Sequence, residues 1–398
     1  MDIVNGTKLD LQATQGLDKQ GNPWLIIIAK GTYRFEPDET GCPQLAEKQN
    51  KLIASDLFEA EPGLSTPFFE SDYVPKKLAC DIILKGSAYA PHGKAVQGLD
   101  VGLRVQDGSQ RAILQKVIHV SGPRLWQKKM LGVWGLSEAE YFQEMPITYS
   151  RAFGGLLTHE AIGSDNPNDF IAHPMNLVGR GYAKGEFLKL LDGVPAHNLE
   201  LVEDGKIQRI TDPEQLGLPA SFGPLARNWQ PRLKFAGTYD EQWEAEVFPL
   251  LPDDFDERYY QCAPADQQMP FPQGGESIVL ANLSHAAAQD FDNTHGFTQF
   301  TLPRLNLPMV VLGKSRSQQV LNPVVDTIAI DADAQTYDLT WRASVPLQRS
   351  LHEVHTIAAG SVCKRWWKSR VYGSDDCGCG GFETDDEDLA PVDQALEA

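Results

Sequence analysis

Short apolar runs, some continuous and some alternating with polar residues, dominate the first 125 residues and predict strands. They lie in Thr7–Phe35, Cys80–Tyr89, Leu99–Val105 and Ala112–Val120. The first run contains turn residues at Asp18–Pro23, so it predicts two strands, and Gly86 interrupts the second. The last two runs are expected to pair as a hairpin. The pattern therefore predicts an N-terminal antiparallel β unit over residues 1–125.

Beyond residue 126 the chain alternates short strands with loops rich in glycine, proline and asparagine. Ser137, three residues before Glu140, predicts a short capped helix, and Gly237–Phe248 predicts another. The later predicted strands are Glu276–Leu283, Phe297–Leu302, Met309–Leu312, Thr327–Asp331 and Tyr337–Arg342. The sequence thus predicts a mainly β fold of antiparallel β-sandwich-like units with long Gly/Pro-rich loops and a few short helices.

The same pattern divides the chain into three parts. Residues 126–373 form a larger mainly-β unit, which is either separate from residues 1–125 or continuous with them. Residues 374–398 contain nine acidic residues and no lysine or arginine. A run of like charge with few large apolar groups does not bury enough surface to order itself. We therefore predict a flexible acidic tail whose removal after Gly373 leaves folding intact.

A dense block of aromatic and charged residues occupies Arg227–Gln268. Rings with polar edges, mixed with both signs of charge, are typical of compact protein surfaces. The block contains no recognised set of nucleophile, base or metal ligands. Burial of Trp229, Tyr239 and Trp243 is favoured over a role in binding.

Composition and charge exclude several classes of partner. The formal charge of −19 argues against a nucleic-acid backbone or an anionic membrane surface as the main partner. No basic segment followed by an apolar run is visible near Met1, so no secretory signal is predicted. Four of the six cysteines are widely scattered and do not suggest a disulfide framework. We expect a reduced, cytoplasmic protein.

The known catalytic and cofactor motifs are not matched. Gly86–Lys94 has six residues between its glycines where a phosphate-binding P-loop has four. A G-x-S-x-G nucleophile elbow is absent, and His119 and His173 belong to no recognised motif. We therefore predict no catalytic residues and no cofactor.

Metal ligation is the strongest chemical alternative. Cys377 and Cys379 form C-x-C, and His352 and His355 form H-x-x-H. Thiolates and imidazoles are zinc ligands, but structural zinc sites usually pair two C-x-x-C or similar motifs. A metal-dependent enzyme or zinc-binding module that uses these four residues stays open, against the simpler interpretation of a glycine-rich start to the tail.

A basic and aromatic cluster precedes the tail. It contains Arg365, Trp366 and Trp367 among lysines and a further arginine. Such clusters stack on nucleic acid in some proteins. Because the chain is acidic, pairing with its own tail or docking to an acidic protein is favoured.

Several blocks together resemble a known family. They are MPITYSRAFGG, HPMNLVGRG, FGPLARNWQPRLKFAGTYDEQW, PLLPDDFDERYYQCAPADQQ, GGESIVLANL and DTIAIDADAQTYDLTWRASVPL. In this order they resemble a bacterial domain-of-unknown-function family encoded beside type VI secretion genes, over residues 74–347. The resemblance implies an effector adaptor, which holds a toxin and loads it onto a VgrG-like spike, with or without a PAAR tip.

The resemblance implies no catalytic residues. It places Arg151–Gly155 and Arg227–Gln268 in the shared core of the family. The candidate partner-binding residues are Arg151, Arg227, Trp229, Arg232, Arg365, Trp366 and Trp367. A structural component of the secretion assembly is the remaining alternative.

Overall fold

The computed structural model describes residues 1–129, 132–290, 292–293, 296–373 and 389–394. Up to residue 146 the strands are β1 (Asp2–Gly6), β2 (Asp10–Leu17), β3 (Pro23–Arg34), β4 (Leu57–Phe58), β5 (Pro67–Phe69), β6 (Cys80–Lys85), β7 (Ser87–Tyr89), β8 (Gly98–Gln106), β9 (Ala112–Ser121), β10 (Trp126–Lys128), β11 (Trp134–Leu136) and β12 (Glu144–Pro146).

The later strands are β13 (Phe153–Gly154), β14 (Leu156–Leu157), β15 (Ile171–Ala172), β16 (Arg180–Gly181), β17 (Leu199–Glu203), β18 (Lys206–Ile207), β19 (Gln268–Met269), β20 (Ser277–Ala281), β21 (Phe297–Thr301), β22 (Met309–Gly313), β23 (Gln318–Leu321), β24 (Val324–Asp331), β25 (Thr336–Pro346), β26 (Val354–Cys363) and β27 (Leu389–Pro391).

The helices are short. The α-helices are α1 (His159–Ile162), α2 (Gln230–Leu233), α3 (Glu241–Glu246), α4 (His285–Gln289) and α5 (Lys364–Tyr372). The 3-10 helices include Pro91–Gly93, Tyr149–Arg151, Gly185–Leu191, Glu257–Tyr260, Ala265–Gln267 and Leu351–Glu353. None of the described helices is long and apolar enough to cross a membrane. The predicted mainly β fold with few short helices is confirmed.

Three sheets hold most of the strands. Two have six strands, in the orders β18-β17-β9-β8-β20-β21 and β19-β6-β24-β25-β3-β2. The third has five, in the order β1-β26-β22-β23, with β27 paired to β26. Most pairs are antiparallel, but β24 runs parallel to β6 and β1 runs parallel to β26. Side chains from all three sheets contribute to one large apolar cluster.

The two central sheets follow the hydrophobic pattern closely. In β3, Leu25–Ala29 is buried on both faces, between β2 and β25. A run of apolar, mostly β-branched residues suits this central position because both faces of the strand are covered. The predicted hairpin of Leu99–Val105 with Ala112–Val120 is confirmed as β8 and β9.

Strands on either side of residue 125 share sheets. β3 and β6 pair with β25 and β24, and β8 pairs with β20. The first 125 residues therefore do not complete either six-stranded sheet by themselves.

The predicted helix at Ser137 is wrong. Residues 137–140 are not helical, and Ser137 Oγ accepts a hydrogen bond from Leu125 N at 2.9 Å. The Ser137 side chain therefore fastens two loop segments together. A serine three residues before a glutamate satisfies the capping motif locally, but this tertiary bond takes its place.

Part of the predicted tail belongs to the third sheet. β27 pairs with β26, and Val392 is fully buried beside Trp367 and Val371. Removing everything after Gly373 would therefore remove buried apolar groups, contrary to the expectation from composition. The flexibility predicted for residues 374–388 and 395–398 lies outside the described residues.

Candidate functional site

Three aromatic side chains form an exposed group in the 227–268 block. The ring centroids of Tyr239 and Trp243 are 4.7 Å apart, and those of Trp243 and Phe248 are 5.6 Å apart, both edge to face. Tyr239 is 53% exposed and Phe248 is 65% exposed, whereas Trp243 is half-buried. We refer to these three residues as the aromatic triad. The expectation that Tyr239 is buried is wrong.

Local hydrogen bonds hold the aromatic triad in place. Asp240 caps α3 by accepting from Trp243 N at 2.9 Å. The indole Nε1 of Trp243 donates to Leu250 O at 3.0 Å. Asp254 accepts from Thr238 N at 2.9 Å, which fixes the loop before α3. The rings are thus presented by an ordered backbone, and less rotational freedom is lost when they are covered.

Several residues that line an apolar cavity of about 90 Å³ follow the aromatic triad closely in the sequence. Its apolar lining consists of Leu17, Trp24, Pro75, Leu251, Phe255 and Tyr260. Charged residues also line it, and Lys76 and Glu257 form an ion pair at 2.8 Å. Leu250, which accepts from Trp243, approaches the turn at Gly21, and Leu251 lines the cavity. An apolar centre with a charged border is the usual arrangement of a protein-binding surface.

A buried arginine ties this block to the rest of the fold. Arg232 is 2% exposed and donates to Glu70 Oε1 at 2.6 Å, to Leu225 O at 2.9 Å and to Tyr259 O at 2.7 Å. Arg227 reaches the same oxygen of Glu70 at 2.8 Å. Burial opposes the charged form of Arg227, but the carboxylates of Glu70 and Asp56 raise the pKa of its guanidinium. These ion pairs and hydrogen bonds therefore connect the 227–268 block, which contains the aromatic triad, to the segment around Glu70.

A family model described as an uncharacterized protein conserved in bacteria (DUF2169) matches residues 20–342. The chain belongs to this family. No curated protein and no solved structure is significantly similar to it. The expected membership in a bacterial family of uncharacterised function is thus confirmed, and the link to type VI secretion stays a prediction.

The residues matched by the DUF2169 model include the aromatic triad, Arg227 and Arg232, whereas β26, α5 and β27 lie beyond the match. Most of the apolar cavity also falls within the match, with Leu17 just before it.

The partner-binding candidates in the 227–232 segment have structural roles in this DUF2169 protein. Trp229 is fully buried and packs edge to face against Tyr149 at 5.0 Å. Arg232 is engaged internally, and Arg227 is half-buried between Asp56 and Glu70. Arg151 differs from them, because its half-buried side chain lines a surface cavity.

The candidates near the C-terminus lie on α5. Trp367 is fully buried in the cluster that contains Val392. Trp366 is half-buried under the guanidinium of Arg370, which pairs with Asp2 at 3.0 Å. Arg365 is exposed. The helix therefore uses its tryptophans mainly to close the third sheet.

The metal-binding alternative finds no assembled site in the described part of the chain. His352 is exposed, and His355 Nδ1 lies 2.7 Å from Thr356 Oγ1. Cys377 and Cys379 lie outside the described residues. Among residues with described positions, no three His, Cys, Asp or Glu side chains converge as a metal site would require.

Sequence reasoning missed the exposed half of the candidate surface. The sequence analysis favoured burial of Tyr239, made no prediction about the exposure of Phe248, and placed Leu17 in a predicted strand. The available signal was the shortness of the helix predicted over Gly237–Phe248, since a helix of few turns covers few rings.

Proposed function

We propose that this protein is a non-enzymatic, cytoplasmic adaptor that binds a type VI secretion toxin and loads it onto a VgrG-like spike or its PAAR tip. The resemblance of its sequence blocks to the adaptor family supplies the biological setting. The aromatic triad supplies the physical basis for holding another protein.

The single observation that carries the proposal is the exposure of Tyr239 and Phe248 on an ordered support. Exposed aromatic side chains that stand together on a fixed backbone mark interaction sites more often than isolated apolar residues do. Tyrosine and tryptophan are also enriched among the residues that dominate binding energies.

The neighbouring features fit a cargo that must later be released. The apolar cavity accepts a side chain, and the ion pair of Lys76 with Glu257 lies at its border. An interface with a few aromatic anchors and a polar border spans a wide range of affinities, including the moderate ones that allow dissociation.

Co-expression tests the proposal. The protein is produced together with the toxin and spike genes that neighbour its own, purified through a tag, and its partners are identified by mass spectrometry. Retention of the toxin, and loss of toxin delivery on deletion of the gene, are the expected results. Failure to retain either partner, with delivery unchanged after deletion, would overturn the adaptor function.

A further inference from the structure

A second surface cavity, of about 180 Å³, is lined by three arginines. The lining residues are Pro123, Arg124, Leu125, Ser137, Glu140, Arg151, Arg180, Pro195, Ala196 and Asn198. We refer to it as the arginine cavity. A concentration of positive charge in one cavity is notable in a chain with a formal charge of −19.

Backbone hydrogen bonds fix the walls of the arginine cavity. Ala196 N donates to Arg124 O at 2.8 Å, and Asn198 N donates to Arg151 O at 2.8 Å. Arg180 N donates to Ala152 O at 3.0 Å, next to the pairing of β13 with β16. Ser137 N donates to Leu125 O at 2.9 Å, so five separate segments are held around one space. A rigid frame of this kind positions charged groups before a ligand arrives.

The three arginines differ in how their charge is balanced. Arg124 is 5% exposed and lies 3.1 Å from Glu200. Burial alone would raise the pKa of the Glu200 carboxyl, but the bond to His197 and the charge of Arg124 lower it to about 2. Glu200 is therefore ionised and offsets the charge of Arg124.

Arg151 and Arg180 lack a comparable counter-ion. Arg180 Nε donates to Ser150 O at 2.8 Å, and neither guanidinium forms an ion pair with any residue that the structure describes. Burial, followed by the nearby charge of Arg151, lowers the pKa of Arg180, and the carboxylate of Glu59, which forms no ion pair with Arg180, opposes this shift only in part. Glu140 also lines the cavity, but its side chain is exposed and forms no ion pair with Arg151 or Arg180 in the described structure. Two like charges thus face a shared space.

We propose that the arginine cavity binds a carboxylate of an acidic segment of the protein cargo. This inference rests on the proposed function, in that the segment belongs to the protein that the adaptor holds. Guanidinium groups pair with carboxylates through paired N–H donors, and an entering carboxylate would relieve the repulsion between Arg151 and Arg180.

The size of the cavity selects the ligand. Sites for drug-sized molecules measure about 300–1,000 Å³, whereas this cavity is smaller. It accommodates one acidic side chain or a chain terminus, and the rest of the partner would extend over the surrounding surface. Leu125, which is 40% exposed, and Pro195 provide apolar contact beside the charged group.

A peptide-binding measurement tests this site. The probe is a fluorescein-labelled tetraglutamate peptide, with tetraglutamine as the neutral comparison, followed by fluorescence anisotropy at low salt. We expect tetraglutamate alone to bind, and Arg151→Gln to weaken binding about tenfold or more, as for loss of a charged hydrogen bond. The Arg151 side chain makes no hydrogen bond or ion pair with the described residues, so Arg151→Gln, which leaves the backbone bonds in place, should keep the wild-type melting temperature.

The matched control is Arg304→Gln, which removes one exposed positive charge outside the cavity and should leave binding unchanged. Equal binding of the two peptides, or wild-type affinity in Arg151→Gln, would overturn the proposal. Inorganic phosphate serves as a second probe. Arg151-dependent binding of phosphate without binding of tetraglutamate would also overturn it, in favour of a free-anion site.

The same variant separates this inference from the adaptor function. If wild type retains the toxin in co-purification and Arg151→Gln loses it, both hold. If both proteins retain the toxin equally, the arginine cavity is not a cargo site although the adaptor function stands. If neither retains it, the adaptor function itself fails.

Discussion

At the scale of single residues, Gly154 sits where backbone geometry and space both exclude a side chain. Its φ is +149°, and an added Cβ would lie 2.3 Å from Asn176 O. Because that oxygen belongs to the backbone, it cannot rotate away. The glycines of the RAFGG segment are thus needed for the close approach of two loops beside the arginine cavity.

Gly154→Ala is therefore expected to lower the free energy of unfolding by at least about 2 kcal/mol, through strain and overlap together. Urea denaturation followed by tryptophan fluorescence measures the change. Gly41→Ala is the control, since Gly41 also has a positive φ of +83° but no atom within 4 Å of an added Cβ. Equal losses in the two variants would show that the contact with Asn176 is unimportant.

The burial of His173 leads us to expect that the stability of the protein depends on pH. It is fully buried, with ring centroids 5.3 Å from Phe153 and 5.1 Å from Tyr182, and burial lowers its pKa from 6.5 to about 4. Between these values the unfolded chain binds the proton and the folded chain does not. The stabilisation is complete above about pH 6.5 and is lost as the pH falls toward 4.

The expected result is a lower urea midpoint at pH 5 than at pH 7.5, with a smaller difference in His173→Phe. His197, whose pKa burial also lowers, keeps part of the dependence in that variant. The exposed His352→Asn serves as control and should retain the full difference. A pH dependence unchanged by His173→Phe would contradict this account.

At the scale of elements, the sequence predicted the strands of the central sheets because burial alone determines their pattern. In β8 and β9, the alternation of apolar and polar residues indicates that one face of the strand is covered. In β3, the continuous apolar run indicates that both faces are covered. The helix predicted at Ser137 failed because a distant backbone amide, that of Leu125, competes for the hydroxyl. Local patterns carry no information about such partners.

The candidate surface was predictable only in part, for the same physical reason. The 227–268 block was recognisable as dense in rings and charges, but exposure depends on which rings the scaffold covers. Trp229 packs against Tyr149, whereas Tyr239 and Phe248 flank the short helix α3 and stay exposed. The arginine cavity joins residues from 123 to 198, and no spacing along the chain reveals that convergence.

The 227–268 block depends on Arg232 for its attachment. Removing one partner of a buried ion pair leaves the other charge uncompensated and costs about 3–5 kcal/mol. We expect Arg232→Ala to lose about 3 kcal/mol, the low end of this range, because the buried Glu70 keeps Arg227 as a partner while Leu225 O and Tyr259 O lose their donor. Chemical denaturation gives the value.

Arg258→Ala is the comparison for Arg232→Ala. Arg258 pairs with Asp256 at 2.6 Å, but its side chain is 58% exposed. Exposed pairs contribute about 0–1 kcal/mol, so this variant should be nearly as stable as wild type. A loss for Arg232→Ala no larger than that for Arg258→Ala would show that the buried network does not hold the block.

At the scale of the whole molecule, the third sheet gathers distant parts of the chain. β1 from the N-terminus and β27 from residues 389–391 both pair with β26. Val392 fills the space beside Trp367 and Val371 on that sheet. The C-terminal segment therefore contributes to the fold, although its composition indicated a flexible tail.

Val392→Ala is expected to cost about 1–3 kcal/mol, since it leaves a cavity in a buried cluster. The midpoint of urea unfolding reports the loss. Val320→Ala on β23 of the same sheet is the control, because Val320 is 50% exposed and its truncation should be nearly neutral. A neutral effect of Val392→Ala would mean that β27 is not docked in solution.

The central claim is that the molecule holds another protein through the aromatic triad. Isothermal titration calorimetry with the toxin encoded by the neighbouring gene tests it most directly. The affinity of wild type is compared with those of Phe248→Ala and Phe170→Ala. Phe248 and Phe170 are similarly exposed, at 65% and 61%, but only Phe248 belongs to the triad. The account predicts an increase of tenfold or more in Kd for Phe248→Ala, as for an interface anchor, and no change for Phe170→Ala. Wild-type affinity in Phe248→Ala, or equal losses in both variants, would contradict it.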